Sequence, residues 1–238
     1  MRASRLLALR LPQRPNELPS RINMGFRATF LVFLFAGLCS MTAAQYPQQG
    51  INFPISPEEV FETVSQSVVT IVAVNAHGRA IGLGSGVVVR PQLVTTNCHV
   101  LRNADAAAVV YQERRYAANV VDSMVDRDLC LLSVDGLRAP VVKTVSTNDI
   151  RVGQKVFALG APHGLELTFS EGIISSLRKT ADSPIIQTTA PISPGSSGGA
   201  LLSKDGTLIG ITTMQMIQGQ NLNFAIPVDW VWDFRFFK

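Results

Sequence analysis

The sequence has 238 residues, 47% of them hydrophobic and 16% charged, which suits one globular domain of roughly 200 residues with a short extra segment and leaves ample material for a core. Its net charge of +4 is uneven: residues 1–44 hold Arg2, Arg5, Arg10, Arg14, Arg21 and Arg27 against Glu17, so the 21 basic and 17 acidic side chains fall to 15 and 16 beyond them. The basicity belongs to the leader, and no nucleic-acid partner follows from it.

In chain order, Arg27 precedes an almost wholly apolar run from Thr29 to Leu38, and small residues follow through Thr42-Ala43-Ala44. This is the design of a secretory signal peptide. About ten apolar residues fall short of the ~20 that a membrane-spanning helix needs. A buried core helix is the alternative reading. Met24, directly before Gly25-Phe26-Arg27, offers a second start, with residues 1–23 as an upstream extension. Leu38 stands before Cys39 where lipid attachment would call for a small residue. The expectation is an exported protein, periplasmic or secreted, with no stable membrane anchor once the leader is cleaved. Cleavage near Ala44 leaves Cys98 and Cys130, an even pair in a disulfide-permissive compartment. No metal or other cofactor is expected, since a zinc site needs four ligands and neither CxxC nor HxxxH spacing occurs.

Residues 45–55 read as a flexible, proline-bearing lead-in, and residues 56–238 as the folded domain. Ser56-Pro57-Glu58-Glu59 is a helix start, with Ser56 as N-cap, Pro57 first in the helix and Glu59 closing a capping box. Short β-branched runs then recur about every ten residues: 68–74, 86–89, 93–96, 106–111, 129–134, 155–159, 168–175, 185–188, 200–202, 207–214 and 223–226. Gly, Pro, Asn and Asp punctuate them, so the pattern predicts an all-β barrel or sandwich. Lys204-Asp205-Gly206-Thr207 is the strongest hairpin signal. Gly82-Leu83-Gly84-Ser85-Gly86 lacks the lysine and following helix of a phosphate loop and reads as a turn or bulge. The aromatic tail from Val228 to Lys238 predicts a helix that packs its rings on the barrel.

Chemistry concentrates in three segments. In Pro194-Gly195-Ser196-Ser197-Gly198-Gly199, flanking glycines let the backbone turn tightly, present a serine and converge N–H groups. Serine and glycine are also the commonest turn residues, so the loop alone decides nothing. Thr95-Thr96-Asn97-Cys98-His99-Val100 ends one strand, and Asp126-Arg127-Asp128-Leu129 begins another. A serine needs a neutral imidazole to take its proton and an acid to fix that imidazole's tautomer. The order His, Asp, Ser is that of the chymotrypsin type and differs from subtilisins and α/β-hydrolases.

Together with Leu159-Gly160-Ala161-Pro162-His163-Gly164-Leu165, Glu171-Gly172-Ile173-Ile174-Ser175 and Asn223-Phe224-Ala225-Ile226-Pro227, these segments resemble the protease domain of the HtrA/Deg family of trypsin-like serine peptidases over residues 56–228. The resemblance implies two packed six-stranded antiparallel β-barrels, about 56–143 and 144–238, with short N- and C-terminal helices. It implies His99 as general base, Asp128 as its orienting acid and Ser197 as nucleophile, with the N–H groups of Gly195 and Ser197 as oxyanion hole. Asp126 competes with Asp128, since both would point to one face of a strand; the family places the acid directly before the Leu-x-Leu-Leu strand. His77, beside Gly78 in a hairpin tip, and His163, in a Pro-His-Gly turn, read as solvated or structural. If Asp128 reaches His99, Cys98 and Cys130 are drawn together, with a bridge or two packed thiols as the outcomes.

By the same resemblance, residues 190–193 including Ile192, and Thr213, Met214, Gln215 and Met216, wall a specificity pocket without an acid, which suits small or medium aliphatic side chains. Ser196 replaces the aspartate that pairs with a freed amino terminus in digestive relatives, so loop rearrangement is the expected control. Polypeptides are the expected substrates. A PDZ domain, common in the family, is not expected in this chain, and a homotrimer through the segment before the first strand stays open. The rival function is a catalytically silent module that binds proteins in a chaperone-like manner.

Overall fold

The computed structural model describes residues 55–161, 167–179, 184–215 and 221–238. The signal-peptide reading of residues 1–44, the second start at Met24, Cys39, the lead-in through residue 54, His163 and Met216 lie outside the described residues.

The described chain begins at α1 (Pro57–Val64). Ser56 Oγ accepts the Glu59 N–H at 3.2 Å and the Glu59 carboxylate accepts the Ser56 N–H at 2.9 Å, so the expected capping box forms. A helix this short does not persist alone. Burial of Val60 and Val64, a turn apart, holds it to the core.

Six strands follow: β1 (Val68–Val74), β2 (Ala80–Arg90), β3 (Leu93–Thr96), β4 (Ala106–Tyr111), β5 (Arg114–Met124) and β6 (Leu129–Ser133). They close into an antiparallel barrel in the order β1-β2-β3-β6-β5-β4. β7 (Lys155–Gly160), β8 (Thr168–Lys179), β9 (Pro184–Thr188), β10 (Ala200–Ser203), β11 (Leu208–Gln215) and β12 (Asn223–Pro227) repeat that order in a second closed barrel. The two-barrel expectation holds.

Three cores explain the apolar runs. Val88, Val94 and Leu132 point into the first barrel, and Val156, Ala158 and Leu201 into the second. Their strand neighbours Val87, Val89, Leu131, Phe157, Leu159 and Leu202 point the other way, into a core shared by the barrels, α1 and the C-terminal tail. Strands apolar on both faces, such as Val87-Val88-Val89, therefore mark where the barrels meet.

Two expectations change. The Gly82–Gly86 segment is no turn or bulge: it lies within the single strand β2. A Cβ on Gly84 would come within 2.6 Å of Val100, and one on Gly86 within 2.5 Å of Val94, so close packing demands the missing side chains. β5 was not among the expected strands; only Ala118 along it is buried, and it joins β4 through a turn whose Gln112 and Glu113 both take positive φ. The expected C-terminal helix takes the form of two 3₁₀ stretches, Val228–Asp233 and Arg235–Phe237, broken at Phe234. Burying Trp230 and Phe234 and laying Trp232 and Phe237 over the Arg90 guanidinium decides its path. The expected hairpin at Lys204-Asp205-Gly206 joins β10 to β11, with Gly206 at φ +75°.

Candidate active site

β3 ends at buried Thr96, and a 3₁₀ turn at Cys98–Leu101 carries His99 out of the first barrel. β6 pairs with β3, placing Cys130 opposite Thr96. Just before β6, Asp128 adopts φ +54° and ψ +36°, a left-handed conformation that a short polar side chain tolerates. That turn reverses the chain so that Asp128 engages the His99 segment at several points. Its carbonyl accepts from the Cys98 N–H at 3.2 Å and from Asn97 Nδ2 at 3.0 Å. Its Oδ1 accepts the His99 N–H at 2.8 Å, and its Oδ2 lies 2.7 Å from His99 Nδ1. Cys98 and Cys130 are joined by a disulfide that ties the turn carrying His99 to β6.

A carboxylate only accepts, so His99 donates through Nδ1 and leaves Nε2 as an acceptor. Partial burial pushes the Asp128 carboxyl up. Hydrogen bonds from the His99 ring and backbone, the imidazole's charge and the Thr213 hydroxyl outweigh it and hold the carboxyl below its ordinary range. Asp126 lies exposed in a 3₁₀ turn, Val125–Arg127, so the shared-face argument for it does not apply.

The serine loop comes from the second barrel. Ser196 N–H donates to the Ser193 carbonyl at 2.9 Å across Pro194 and Gly195, and Gly195 has φ +95°. Proline followed by a positive-φ glycine is the signature of a type II turn. Gly198, at φ +85°, donates to the Thr212 carbonyl at 2.8 Å. A Cβ there would sit 2.1 Å from the Ser85 carbonyl oxygen and 2.4 Å from Thr96 Oγ1. Among the described residues, the N–H groups of Gly195 and Ser197 meet no protein acceptor.

Buried Ser85 is a structural hub that the motif reading did not single out. Its N–H donates to the Ser197 carbonyl at 2.7 Å, its hydroxyl donates to the Gly195 carbonyl at 2.8 Å, and its own Oγ accepts the Ala161 N–H at 2.9 Å. Thr96 Oγ1 donates to its carbonyl at 2.7 Å. One first-barrel residue thus fixes the serine loop against the strand that leads to His99. The available signal was a serine between two glycines in an otherwise apolar strand.

Of the expected pocket residues, Ile192 is buried in the core of the second barrel. Thr213 turns its hydroxyl to Asp128 Oδ2 at 3.0 Å, and its carbonyl accepts the Ser197 hydroxyl at 2.7 Å. Met214 and Gln215 follow it along β11. No hydrogen bond joins Ser197 to the His99 ring; Thr213 is the residue that contacts both Ser197 and the acid. Ser196 is buried, its N–H on the Ser193 carbonyl and its own carbonyl accepting the Thr212 hydroxyl. His77 lies exposed at the β1–β2 tip, as expected.

Residues 84–211 match the family model of the trypsin-like peptidase domain. Protease Do-like 1, chloroplastic, of Arabidopsis thaliana is 40% identical over 166 residues, 63% of this chain and 38% of that relative. A probable periplasmic serine endoprotease, DegP-like, of Halomonas elongata is 36% identical over 156 residues, covering 62% and 33%. The chain thus spans only 33% to 38% of these relatives' length. Among solved structures, the serine endoprotease from Yersinia pestis superposes with a TM-score of 0.68 at 31% identity, covering 76% of this chain and 65% of that one. The HtrA-type protease AlgW with tripeptide superposes with a TM-score of 0.68 at 30% identity, covering 75% and 62%.

Proposed function

Because the chain belongs to the family of trypsin-like peptidase domains, we propose that it is an exported serine endopeptidase that cleaves exposed or unfolded polypeptide segments through an acyl-enzyme. Ser197 Oγ attacks the scissile carbonyl while His99 Nε2 takes its proton. The bond to the leaving amine breaks as His99 returns that proton, and water then repeats the sequence to release the acyl group. Asp128 keeps the proton on Nδ1 and stabilises the imidazolium. The observation that carries this reading is the 2.7 Å bond between His99 Nδ1 and Asp128 Oδ2, made in the half of the molecule that Ser85 locks to the serine loop.

For the reaction, the Ser197 hydroxyl must leave the Thr213 carbonyl and donate to Nε2. The type II turn supports the oxyanion role. Relative to a type I turn it flips the Pro194–Gly195 peptide, and it leaves the Gly195 and Ser197 N–H groups uncommitted. Each such donor is worth on the order of 10²–10³ in turnover. Export is supported by the leader in residues 1–44, by the disulfide and by the periplasmic description of the DegP-like relative. The Ser197 bond to Thr213 favours one rival, a catalytically silent module that binds proteins.

The test is turnover of a reduced, unfolded protein beside that of a simple ester. The peptidase reading expects both to be cleaved, and both to be lost in Ser197→Ala. Ester cleavage alone would make the chain an esterase, and cleavage of neither by folded protein would favour the binding module.

A further inference from the structure

Beyond residue 44 acidic side chains slightly outnumber basic ones, yet three arginines gather at one end of the first barrel. β1 begins there, β4 ends, β5 begins and β6 ends, so the strand ends leave a cleft of about 980 Å³. Tyr111 and Tyr116 pack against the barrel core and form its floor. Arg114, Arg115 and Arg138 stand on its rim, all exposed, and no carboxylate of the described residues lines it. None of the three guanidiniums is in an ion pair among the described residues. Glu113 and Asp135 are neighbours in sequence that do not line the cleft. A solvated arginine face needs no cavity, whereas barrel mouths with an apolar floor and a few polar groups are where ligands bind.

We propose that this cleft binds an acidic segment of a polypeptide, with Arg114, Arg115 and Arg138 pairing its carboxylates and the two tyrosines supporting its backbone and stems. Arginine matches carboxylate geometry with two parallel donors and is always charged. The concave shape suits an extended chain better than a flat lipid surface, and the volume exceeds what one small anion fills. The barrel is closed, so no free strand edge is offered and recognition falls to side chains. β6 runs from Leu129, beside Asp128, to Ser133 near this end. At ~3.3 Å per residue the cleft lies well over 10 Å from the candidate catalytic residues. It is therefore a separate site, and its existence does not rest on proteolysis.

The test is fluorescence anisotropy of a labelled twelve-residue glutamate-rich peptide titrated with the mature protein. Vesicles of phosphatidylglycerol and soluble polyphosphate serve as competing anions. The expected result is saturable binding that weakens from ~50 to ~300 mM salt and falls roughly tenfold or more in the Arg114→Ser/Arg115→Ser/Arg138→Ser variant. The surface control Arg151→Ser binds as the parent does, and circular dichroism shows both variants folded. Absence of saturable binding at low salt, or binding that survives the triple variant, overturns the proposal. So does binding of vesicles or polyphosphate, and not the peptide, through the same arginines.

Discussion

Thr213 and Asp128 are joined by a 3.0 Å hydrogen bond from the threonine hydroxyl to Oδ2, the oxygen that also faces the His99 ring. A residue expected to wall a substrate pocket also contacts the acid, while its carbonyl holds the resting Ser197 hydroxyl. Thr213→Val keeps the shape and the carbonyl but removes this donor. We expect kcat to fall about tenfold, the worth of one such bond, with KM nearly unchanged. The Asp128 carboxyl rises towards its ordinary range, since the Thr213 hydroxyl is one of the bonds that hold it low. kcat and KM on one peptide substrate check the first effect, and the pH dependence of unfolding checks the second.

Asp128→Asn removes the group that fixes the imidazole tautomer, and turnover at neutral pH should drop on the order of 10⁴-fold. The same variant reads the carboxylate's effect on stability. A carboxyl held low in the folded state stabilises it above the ordinary carboxylate value of ~3.9, and that contribution vanishes as pH falls through the folded-state value. The urea midpoint of the parent should therefore exceed that of the variant at pH ~6 and converge on it at the most acid pH at which both fold.

The disulfide between Cys98 and Cys130 closes a loop with a sequence separation of 32. The chain-entropy relation gives about 4 kcal/mol for a loop of that length. Replacing both cysteines by alanine should lower unfolding free energy by about 2–4 kcal/mol. It should also lower kcat, because the bridge pins the turn that carries His99. Denaturant unfolding and peptide turnover, each with and without reductant, measure the two effects.

Gly198 and Gly153 both have positive φ, +85° and +87°, but differ in surroundings. A Cβ at Gly198 meets the Ser85 carbonyl and Thr96, whereas at Gly153 nothing lies within 4 Å. Gly153→Ala should cost only the left-handed strain, about 1–2 kcal/mol. Gly198→Ala must also displace the serine loop, so it should cost more than about 3 kcal/mol and abolish turnover. Thermal melts of the two variants make the comparison.

The sequence revealed most where burial is two-sided. β1 and β3 fall on the expected residues because their apolar runs serve the barrel interior and the shared core. β5 escaped because solvent covers nearly all of it: Val120 is 54% exposed, and its turn uses no glycine. The His99 and Ser197 loops were legible through glycines and through a cysteine beside the histidine. Ser85 and Thr213 were harder to see, because what they contribute is a single hydroxyl or carbonyl aimed across barrels. Such roles show in contacts between residues distant in sequence, 110 positions for Ser85 with Gly195 and 85 for Thr213 with Asp128.

Mass spectrometry of the intact mature protein after exposure to a fluorophosphonate tests the central claim most directly. One covalent adduct on Ser197, formed faster as pH rises through neutrality, is expected, and none on Ser197→Ala. Folded protein that stays unmodified, or carries the adduct on another residue, contradicts it.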